Sequence, residues 1–287
     1  MSDRLAIVGF GYAGAAIATA VLEAGLAVTA TTRDPAAKRA PDGVELVGFD
    51  EAGKAIREAT HLLVTAPPGE AGDPVLARYR SAIGAAGRLR WIGYCSTTGV
   101  YGDRQGGTVD EDDAVAPGSE RTRRRVSAEQ DWASFGGRLA VDIIRLAGLY
   151  GPGRSAFDDL RAGTARRIDR PGHRFSRIHV ADIGLGVVAA MGTATGGVRV
   201  LNFADDEPAP SADVIAFAAA LLGIAPPPAV SFAEAEKAMS PMALSFWREN
   251  RVVLNRKTKA ALGISWRYPG YREGLAAILA EEAKSLP

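Results

Sequence analysis

The sequence predicts an α/β fold built on a doubly wound parallel sheet. Short apolar runs alternate with helical patterns through the first half of the 287-residue chain, and a glycine-rich turn separates the first run from the first helix. The composition, 47% hydrophobic and 23% charged, is that of an ordinary globular protein. Alternating strands and helices form βαβ units, which place a parallel sheet between two layers of helices.

The predicted elements follow one another with short connections. Apolar runs predict strands at 5–9, 27–31, 44–49, 61–66, 89–96, 139–145 and 198–203. Apolar residues at helical spacing predict helices at 13–24, 53–58, 74–86, 118–135, 180–191 and 211–222. A triple proline at 226–228 precedes further helical segments, so a smaller, mostly helical lobe is predicted there. We assign 1–152 and 176–206 to the sheet domain, and 153–175 and 207–287 to a substrate lobe.

Charge, apolar runs and cysteine content limit the possible partners. The formal net charge of +1 gives no reason to expect nucleic acid or an anionic membrane. The apolar runs are too short or interrupted to span a bilayer, and the first residues lack a signal-peptide pattern. A single cysteine, Cys95, excludes an internal disulfide and fits a reducing cytoplasm, the expected location. His61, His173 and His179 lack ligand spacing, so no metal site is expected.

The first turn carries a G-x-G-x-x-G motif, Gly-Phe-Gly-Tyr-Ala-Gly, between a predicted strand and helix. The first glycine allows a tight turn, the second lets the backbone approach a pyrophosphate, and the third lets helix and strand pack closely. The helix start offers free amide hydrogens to phosphates. A dinucleotide-binding Rossmann domain is therefore predicted. Its expected cofactor contacts here are Gly9, Gly11, Tyr12, Ala13 and Gly14.

The end of the second predicted strand bears on the choice of cofactor. Thr32 and Arg33 stand where an NAD site usually has an acidic residue. A guanidinium suits a 2′-phosphate, and a threonine hydroxyl can add a hydrogen bond. NADP is therefore expected, with NAD possible, because Arg33 could instead stack on adenine or be solvated. Asp34 could also contact a ribose hydroxyl.

Two blocks carry a family resemblance. Residues 96–103, Ser-Thr-Thr-Gly-Val-Tyr-Gly-Asp, follow an apolar run, and residues 121–129, Arg-Thr-Arg-Arg-Arg-Val-Ser-Ala-Glu, lie on a predicted helix. This layout resembles the extended short-chain dehydrogenase/reductase family, which includes sugar-nucleotide epimerases and dehydratases. In that family a Ser or Thr of the first block works with a Tyr-x-x-x-Lys pair in the second. The Tyr and Lys positions here hold Arg121 and Arg125.

The tail extends the resemblance over nearly the whole chain. Residues 202–208, Asn-Phe-Ala-Asp-Asp-Glu-Pro, 240–243, Ser-Pro-Met-Ala, and 268–275, Tyr-Pro-Gly-Tyr-Arg-Glu-Gly-Leu, are similar to the atypical extended members called YeeZ-like. Absence of Tyr-x-x-x-Lys is characteristic of that subgroup. In addition, the sequence has no lysine between Lys54 and Lys237, so no nearby lysine can replace the missing one.

The resemblance implies roles for several cofactor-side residues. Thr97 matches the Ser/Thr that bonds the substrate oxygen, or it is simply a strand-end cap. Ala66 and Pro67 match the place where the backbone passes the cofactor, or they form an ordinary rigid turn. Arg125 could hold a ribose or phosphate; alternatively, this arginine run is a solvated helix face, with Glu129 as a local partner of Arg125.

The proton donor and substrate anchors complete the expected site. Arg121 cannot transfer a proton, because guanidinium keeps its charge below a pKa of about 12. Tyr101 is the first candidate donor. Cys95 and Tyr94 are weaker candidates, and Tyr150 is possible. The motifs at 145–154 and 177–183 resemble the family's substrate-flanking segments, and there Arg154 and Arg177 are the expected substrate anchors, His179 a packed histidine and Asp182 a helix cap.

The expected function is that of an NADP-dependent oxidoreductase or epimerase-like enzyme on a small anionic or nucleotide-linked substrate. The alternative is a non-catalytic NADP(H)-binding sensor. Family members commonly form homodimers through the helices predicted at 74–86 and 118–135. The arginine cluster in the second helix could prevent that pairing, so a homodimer is possible rather than required.

Overall fold

The computed structural model describes residues 3–285. Residues 1–2 and 286–287, which the predicted domain boundaries include, lie outside the described residues. The strands are β1 (Arg4–Val8), β2 (Ala27–Thr32), β3 (Val44–Gly48), β4 (His61–Val64), β5 (Trp91–Thr97), β6 (Thr108–Val109), β7 (Ala140–Leu146), β8 (Gly148–Tyr150), β9 (Arg167–Asp169), β10 (Arg177–His179), β11 (Gly197–Phe203), β12 (Ala229–Ser231) and β13 (Val252–Val253). The helices are α1 (Tyr12–Glu23), α2 (Ala52–Glu58), α3 (Pro74–Ala85), α4 (Glu120–Ala133), α5 (Ala156–Arg161), α6 (Val180–Gly192), α7 (Ser211–Leu221), α8 (Phe232–Ala235), α9 (Pro241–Trp247), α10 (Arg256–Leu262) and α11 (Tyr271–Ser285).

Seven strands form one sheet in the order β11-β7-β5-β4-β1-β2-β3, with every neighbouring pair parallel. The chain starts in the middle of the sheet, runs outward through β2 and β3, and crosses to the other side at β4. The predicted doubly wound parallel sheet is confirmed. The carboxyl ends of β1 and β4 meet where the strand order reverses, which is where ligands bind in open α/β sheets.

Alternation along the strands fills two cores, one on each face of the sheet. In β1, Leu5 and Ile7 pack on the side of α1 and α6, whereas Ala6 and Val8 pack on the side of α2, α3 and α4. All four side chains are fully buried. A strand covered by helices on both faces must be apolar at consecutive positions, which explains the continuous apolar runs of the sequence.

The tail has the predicted helices, together with strands that the sequence did not indicate. The short strands β12 and β13 pair with β9 and β6, respectively. They are only two or three residues long and depend on a partner far away in sequence, so no local pattern predicts them. The predicted helix 118–135 is shorter, because Ser119 caps its start and a 3₁₀ turn, Ser134–Gly137, follows its end.

The tail contributes to three cores, two of which bear on the division into domains. Phe157 of α5 and Leu275 of α11 pack in a separate cluster with α7. Val253, Leu262 and Trp266, in contrast, pack in the main core on the α1 side of the sheet. The chain therefore returns to the sheet domain before its last helix, and the division into 1–152 with 176–206 and 153–175 with 207–287 stays a prediction.

Within residues 3–285 no helix combines the length and apolarity needed to cross a bilayer. Over the same residues, no three His, Cys, Asp or Glu side chains are grouped in a way that would hold a metal ion.

Candidate cofactor and substrate site

The glycine turn between β1 and α1 is formed by close packing. Gly9 has φ +110°, and a Cβ added to it would lie 2.6 Å from the Thr65 hydroxyl oxygen. A Cβ added to Gly14 would lie 2.8 Å from the Gly9 carbonyl oxygen, because helix and strand touch there. Side chains at these two positions would therefore push the turn apart.

Gly11 is a glycine for a different reason. Its backbone is in the ordinary extended region, with φ −106°, and a Cβ added there would meet no atom within 4 Å. Helix α1 starts at Tyr12 without a side-chain cap and without an acidic residue in its first turn. The open space beside Gly11 and the uncapped amides of Tyr12 and Ala13 form a cradle that fits an anionic pyrophosphate.

Arg33 follows β2 directly, is exposed, and makes no ion pair or hydrogen bond within residues 3–285. Thr32, the last residue of the strand, is half-buried. Asp34 is already engaged, because its Oδ1 accepts hydrogen bonds from the amides of Ala36 at 3.1 Å and Ala37 at 3.3 Å. The guanidinium of Arg33 is thus unengaged, whereas one oxygen of Asp34 is already committed to its own turn. This pair of residues fits a ribose 2′-phosphate better than unmodified ribose hydroxyls.

The end of β4 lies against the glycine turn. The Thr65 hydroxyl donates to the Gly9 carbonyl, and the Ala66 amide donates to the Val8 carbonyl at 3.2 Å. Ala66 is half-buried and Pro67 exposed, so this segment borders the same cradle.

A cavity of about 370 Å³ opens at the carboxyl ends of β5 and β7. Thr97 lines it from the end of β5 and Thr98 from the 3₁₀ turn that follows. Leu149 and Tyr150 line it from β8, and residues of α4, α7 and α9 line the other sides. Four arginines and one carboxylate are among its lining residues: Arg121, Arg174, Arg177, Arg251 and Glu249. This excess of positive charge favours an anionic ligand.

Thr97 lines this cavity and also caps the turn that follows β5. Its Oγ1 accepts a hydrogen bond from the Gly99 amide at 3.1 Å. The Thr97 hydroxyl proton has no acceptor among the described side chains and backbone. Thr97 can therefore act as a strand-end cap and still bond a substrate oxygen, the two alternatives that the sequence left open.

The placement of Tyr101 argues against its predicted role as proton donor. The side chain is fully buried in the main core and is absent from the cavity wall. Its hydroxyl donates to Asn202 Oδ1 at 2.8 Å, and the Arg145 guanidinium lies 4.7 Å from its ring centre. Burial raises the pKa of Tyr101. The 3₁₀ turn at Thr98–Tyr101 directs this side chain into the core.

The other tyrosine and cysteine candidates are engaged or buried as well. Burial raises the pKa of both Tyr94 and Cys95 to about 12. Tyr150 lines the cavity, but its hydroxyl donates to the Gly270 carbonyl at 3.2 Å, and burial raises its pKa too. None of these side chains offers a free proton to the cavity.

Glu249 is the cavity residue that sequence reasoning missed. It is the carboxylate in the cavity wall, and its Oε2 lies 2.7 Å from Arg251 Nη1. It follows α9, more than 100 residues along the chain from the strand-end motifs. Only the fold brings it to the ends of β5 and β7, so no local sequence signal could have identified it.

The two predicted substrate anchors line a second cavity, of about 420 Å³, which shares Leu149, Tyr150 and Arg177 itself with the first. Arg154 is exposed, and its guanidinium lies 5.7 Å from the ring centre of Tyr12. The Arg177 guanidinium is partly committed, because its Nη1 donates to the carbonyls of Phe175 at 2.8 Å and Ala209 at 2.9 Å. The fold therefore brings the two arginines together, with Arg154 the freer of them.

Tyr12 connects the two regions. Its hydroxyl donates to the Pro152 carbonyl at 3.1 Å, so the first turn of α1 is tied to the loop that carries Arg154. Burial raises the pKa of Tyr12 to about 12, which keeps the hydroxyl protonated as a donor.

The helix cap was assigned to the wrong residue. His179, rather than Asp182, caps α6, with its Nδ1 accepting from the Ala181 amide at 3.2 Å. Asp182 is buried and accepts instead from the backbone amides of Arg267 at 2.6 Å and Tyr268 at 3.0 Å, so it fixes the tail against α6.

Comparison with known proteins places the chain in a family. No protein-family model matches it. It is 30% identical over 243 residues to protein YeeZ of Escherichia coli K12, covering 78% of this chain and 85% of that protein. The chain belongs to the atypical extended short-chain dehydrogenase/reductase family, in its YeeZ-like subgroup. It is also 33% identical over 181 residues, 58% of each chain, to the 3-diazoavenalumate denitrifying reductase of a Streptomyces species.

Solved structures extend the comparison of this short-chain dehydrogenase/reductase. A conserved protein of unknown function from Silicibacter pomeroyi is 41% identical, with a TM-score of 0.87 over 98% of this chain and 99% of that one. Two more distant structures show the same fold. MoeE5 in complex with UDP-glucuronic acid and NAD is 21% identical, with TM-score 0.77 over 99% and 100% of the two chains. The human epimerase family protein SDR39U1 with NADPH is 17% identical, with TM-score 0.76 over 96% and 99%.

The two arginines at the family's Tyr and Lys positions differ in their surroundings. Arg121 is exposed and lines the first cavity, and its guanidinium lies 4.9 Å from the ring centre of Phe246. Arg125 is not in the cavity wall. Its Nη1 donates to the Tyr94 hydroxyl at 3.0 Å and to the Cys95 carbonyl at 2.9 Å, which fixes α4 against β5.

Glu129 is not the partner of Arg125, so that part of the alternative was wrong, whereas Arg121 and Arg123 are exposed as it expected. The Glu129 carboxylate is buried and bonds Arg145, with Nη2 to Oε2 at 2.8 Å, and accepts from the Ser96 hydroxyl at 2.5 Å. The network therefore joins α4 to β5 at Ser96, the residue before Thr97.

Proposed function

We propose that the chain is an NADP-dependent oxidoreductase or epimerase-like enzyme acting on a small anionic substrate. The observation that carries this proposal is the cavity at the ends of β5 and β7, whose wall holds four arginines and one carboxylate. The cavity opens at the edge of the sheet formed by the carboxyl ends of the strands, where the glycine cradle and the end of β2 also lie. One relative is a reductase, and two structural neighbours were solved with NAD or NADPH, which supports the same class.

The chain's own residues would hold the cofactor through three groups. The uncapped amides at Tyr12 and Ala13 face the pyrophosphate, and Gly11 leaves room for it. Arg33, with Thr32, faces the 2′-phosphate, since the neighbouring Asp34 is occupied by its own turn. Ala66 and Pro67 border the cofactor. Arg125 would contact its ribose or phosphate through the guanidinium nitrogens other than Nη1, which is already engaged. When bound, NADP supplies hydride exchange at the nicotinamide ring.

The substrate side of the proposal assigns separate tasks to separate residues. Arg154 and Arg177 hold an anionic group of the substrate, with Arg154 the freer donor. Thr97 orients the reacting group through its free hydroxyl proton. Glu249 exchanges the proton that the missing tyrosine would handle, because it is the carboxylate in the cavity wall. Tyr101 has no part in this version of the site.

The test of the cofactor assignment is a comparison of melting temperatures. NADPH should raise the melting temperature more than NADH at equal concentration, since only NADPH carries the phosphate that Arg33 would bind. Equal shifts would remove the argument from Arg33. The test of the proton role is Glu249→Gln, which should lower kcat and leave the NADPH shift unchanged.

A second candidate function is a non-catalytic NADP(H) sensor. It is favoured by the finding that Tyr94, Cys95, Tyr101 and Tyr150 are all buried or engaged. The discriminating measurement follows NADPH oxidation with a panel of small carboxylates and phosphates. The sensor is favoured if the protein binds NADPH but oxidises it with no member of the panel, and if Glu249→Gln likewise shows no turnover.

Homodimerisation through α3 and α4 also remains a proposal. Light scattering at low and high salt tests it, because repulsion between arginine-rich α4 helices would weaken with screening. A dimer that strengthens with salt fits this geometry.

A further inference from the structure

We propose that Arg121 and Phe246 form a subsite for a planar aromatic carboxylate, so that the substrate class is an aromatic acid rather than a sugar nucleotide. This inference rests on the proposed oxidoreductase function and specifies its substrate. It assigns the carboxylate on the aromatic ring to Arg121, which stands where the family has its tyrosine, and leaves Arg154 and Arg177 for a second anionic group of the substrate.

The first observation is an exposed aromatic side chain in the cavity wall. Phe246 of α9 has 49% of its surface exposed, and it lines the cavity together with Trp247 and Phe175. Trp247 and Phe175 are packed against each other, with ring centres 4.9 Å apart, and form a fixed apolar wall. The Arg121 guanidinium lies over this ring, so a planar ligand would pack on the exposed remainder of the side chain, beside the apolar wall.

The second observation concerns the charges on α4. Arg123 and Arg124, on the solvent side, both pair with Glu120, at 3.1 Å and 3.4 Å. Arg121, on the cavity side, has no acidic partner within residues 3–285 and lies against the Phe246 ring at 4.9 Å. One helix therefore pairs its outward arginines and leaves the one that faces the cavity available to a ligand.

The chemistry of the pair selects an aromatic acid. A guanidinium binds a carboxylate through two parallel hydrogen bonds, and its flat face also stacks on rings. An aromatic ring at the edge of Phe246 gains stacking as well as cation–π contact with Arg121. A single planar acid can therefore satisfy both residues at once.

The same wall suits a sugar poorly. Sugar hydroxyls need hydrogen-bond acceptors, but the one lining carboxylate, Glu249, already pairs with Arg251. Four serines line the cavity, and three of them are already engaged in hydrogen bonds, namely Ser119, Ser176 and Ser245. The lining side chains thus supply more charged hydrogen-bond donors than acceptors, a balance that suits a carboxylate better than a polyhydroxylated ligand.

The test uses cinnamate as the probe and calorimetric titration of the NADPH-loaded protein. Cinnamate should bind, and Arg121→Gln should weaken it by roughly tenfold to a hundredfold, the loss expected for charge-assisted hydrogen bonds. Arg123→Gln on the same helix is the matched control and should leave the affinity unchanged. Phe246→Leu should weaken cinnamate by roughly threefold to tenfold, whereas Met242→Ala, also exposed on α9, should not.

Two further measurements separate charge and shape from folding. Cinnamamide, which lacks the charge, should bind weakly and respond little to Arg121→Gln. Arg121→Lys keeps the charge without the planar fork, so it should bind cinnamate less well than the wild type while melting at the same temperature.

Several results would overturn the inference. It fails if cinnamate does not bind the NADPH-loaded protein, or if Arg121→Gln and Arg123→Gln weaken it equally. It also fails if UDP-glucose binds more tightly than cinnamate and depends on Arg121. NADPH binding is measured first by its melting shift, so loss of that shift counts against the proposed function, whereas a normal shift without cinnamate binding counts against this inference alone.

Discussion

Glu129 and Arg145 form an ion pair inside the protein, with 2.8 Å between Oε2 and Nη2 and less than a tenth of either side chain exposed. Glu129 is on α4 and Arg145 on β7, so the pair joins a helix to the sheet beneath the candidate site. A buried charge that loses its partner remains desolvated without compensation, which is the costly outcome for such pairs.

Glu129→Ala should therefore lower the free energy of unfolding by about 3–5 kcal/mol. Urea titration measures it. Glu120→Ala removes an exposed carboxylate from the same helix and should change stability little. A loss no larger than that of the control would mean that water reaches Arg145 and replaces the carboxylate.

The glycine turn allows cofactor binding to be separated from folding. Gly11→Ala should leave the melting temperature unchanged and abolish the NADPH-induced shift, because its Cβ would enter the open space beside the turn. Gly14→Ala should instead lower the free energy of unfolding by about 1–3 kcal/mol, since its Cβ would approach the Gly9 carbonyl at 2.8 Å. Melting temperatures with and without NADPH measure both effects. The proposed cradle would be contradicted if Gly11→Ala lowered stability and Gly14→Ala instead abolished the NADPH-induced shift.

Arg33 should determine the preference between the two nicotinamide cofactors. Arg33→Gln should weaken NADPH by about tenfold or more and leave NADH nearly unchanged, because only the 2′-phosphate is lost as a partner. Arg57→Gln, an exposed arginine on α2, is the control for net charge. Fluorescence titration of both cofactors gives the ratio, and a parallel loss for NADPH and NADH would assign Arg33 to the adenine.

Tyr101→Phe distinguishes a structural tyrosine from a catalytic one. The variant leaves Asn202 Oδ1 without its donor in a fully buried setting, so stability should fall by about 1–3 kcal/mol. The NADPH shift and any turnover should be retained. A hundredfold loss of turnover in a stably folded Tyr101→Phe protein would return this residue to the catalytic site.

The pH dependence of stability should follow the buried histidines. Burial lowers the pKa of His61, His173 and His179 to about 4, against about 6.5 in an unfolded chain. As the pH falls, the histidines of the unfolded state are protonated before those of the folded state. Their contribution to the free energy of unfolding is therefore complete above about pH 6.5 and is lost as the pH falls towards 4. Burial also raises the pKa of Asp205, to about 8, and that of Asp182, and both carboxyls stabilise the folded state as the pH falls; but they are two groups against three histidines.

Melting curves between about pH 7 and pH 5 measure this balance. The melting temperature should fall on acidification. His179→Asn, which keeps an acceptor for the Ala181 amide, should flatten the fall. A melting temperature that rises towards pH 5 would show that the two buried carboxyls dominate.

The fold was predictable because its signals are local. Apolar periodicity identifies each strand and helix, and the glycine motif stands within six residues. The direction of a side chain after a strand is harder to predict. Tyr101 follows a strand end and is therefore expected in the site, but a 3₁₀ turn directs it into the core. Contacts that depend on strand register are harder still, as with Arg145, which lies opposite Ser96 in the sheet and thereby reaches Glu129.

The part of the cavity wall that comes from the tail could not be predicted from the sequence. Phe246 and Glu249 come from a tail segment without clear periodicity. Long-range contacts, among them the parallel pairing of β13 with β6, bring that segment to the ends of β5 and β7. Long-range pairing of two-residue strands leaves no pattern in the composition of either partner.

The hydrogen bond from the Tyr12 hydroxyl to the Pro152 carbonyl has a consequence for how two ligands would communicate. One end of it is on the helix whose amides face the cofactor, and the other is in the loop beside Arg154. Any movement of that loop on substrate binding changes the environment of the first turn of α1. By thermodynamic reciprocity, the free energy by which one ligand assists or opposes the other through this link is the same in both directions. The affinity for NADPH, measured with and without substrate, therefore reports on the substrate loop without any label placed there.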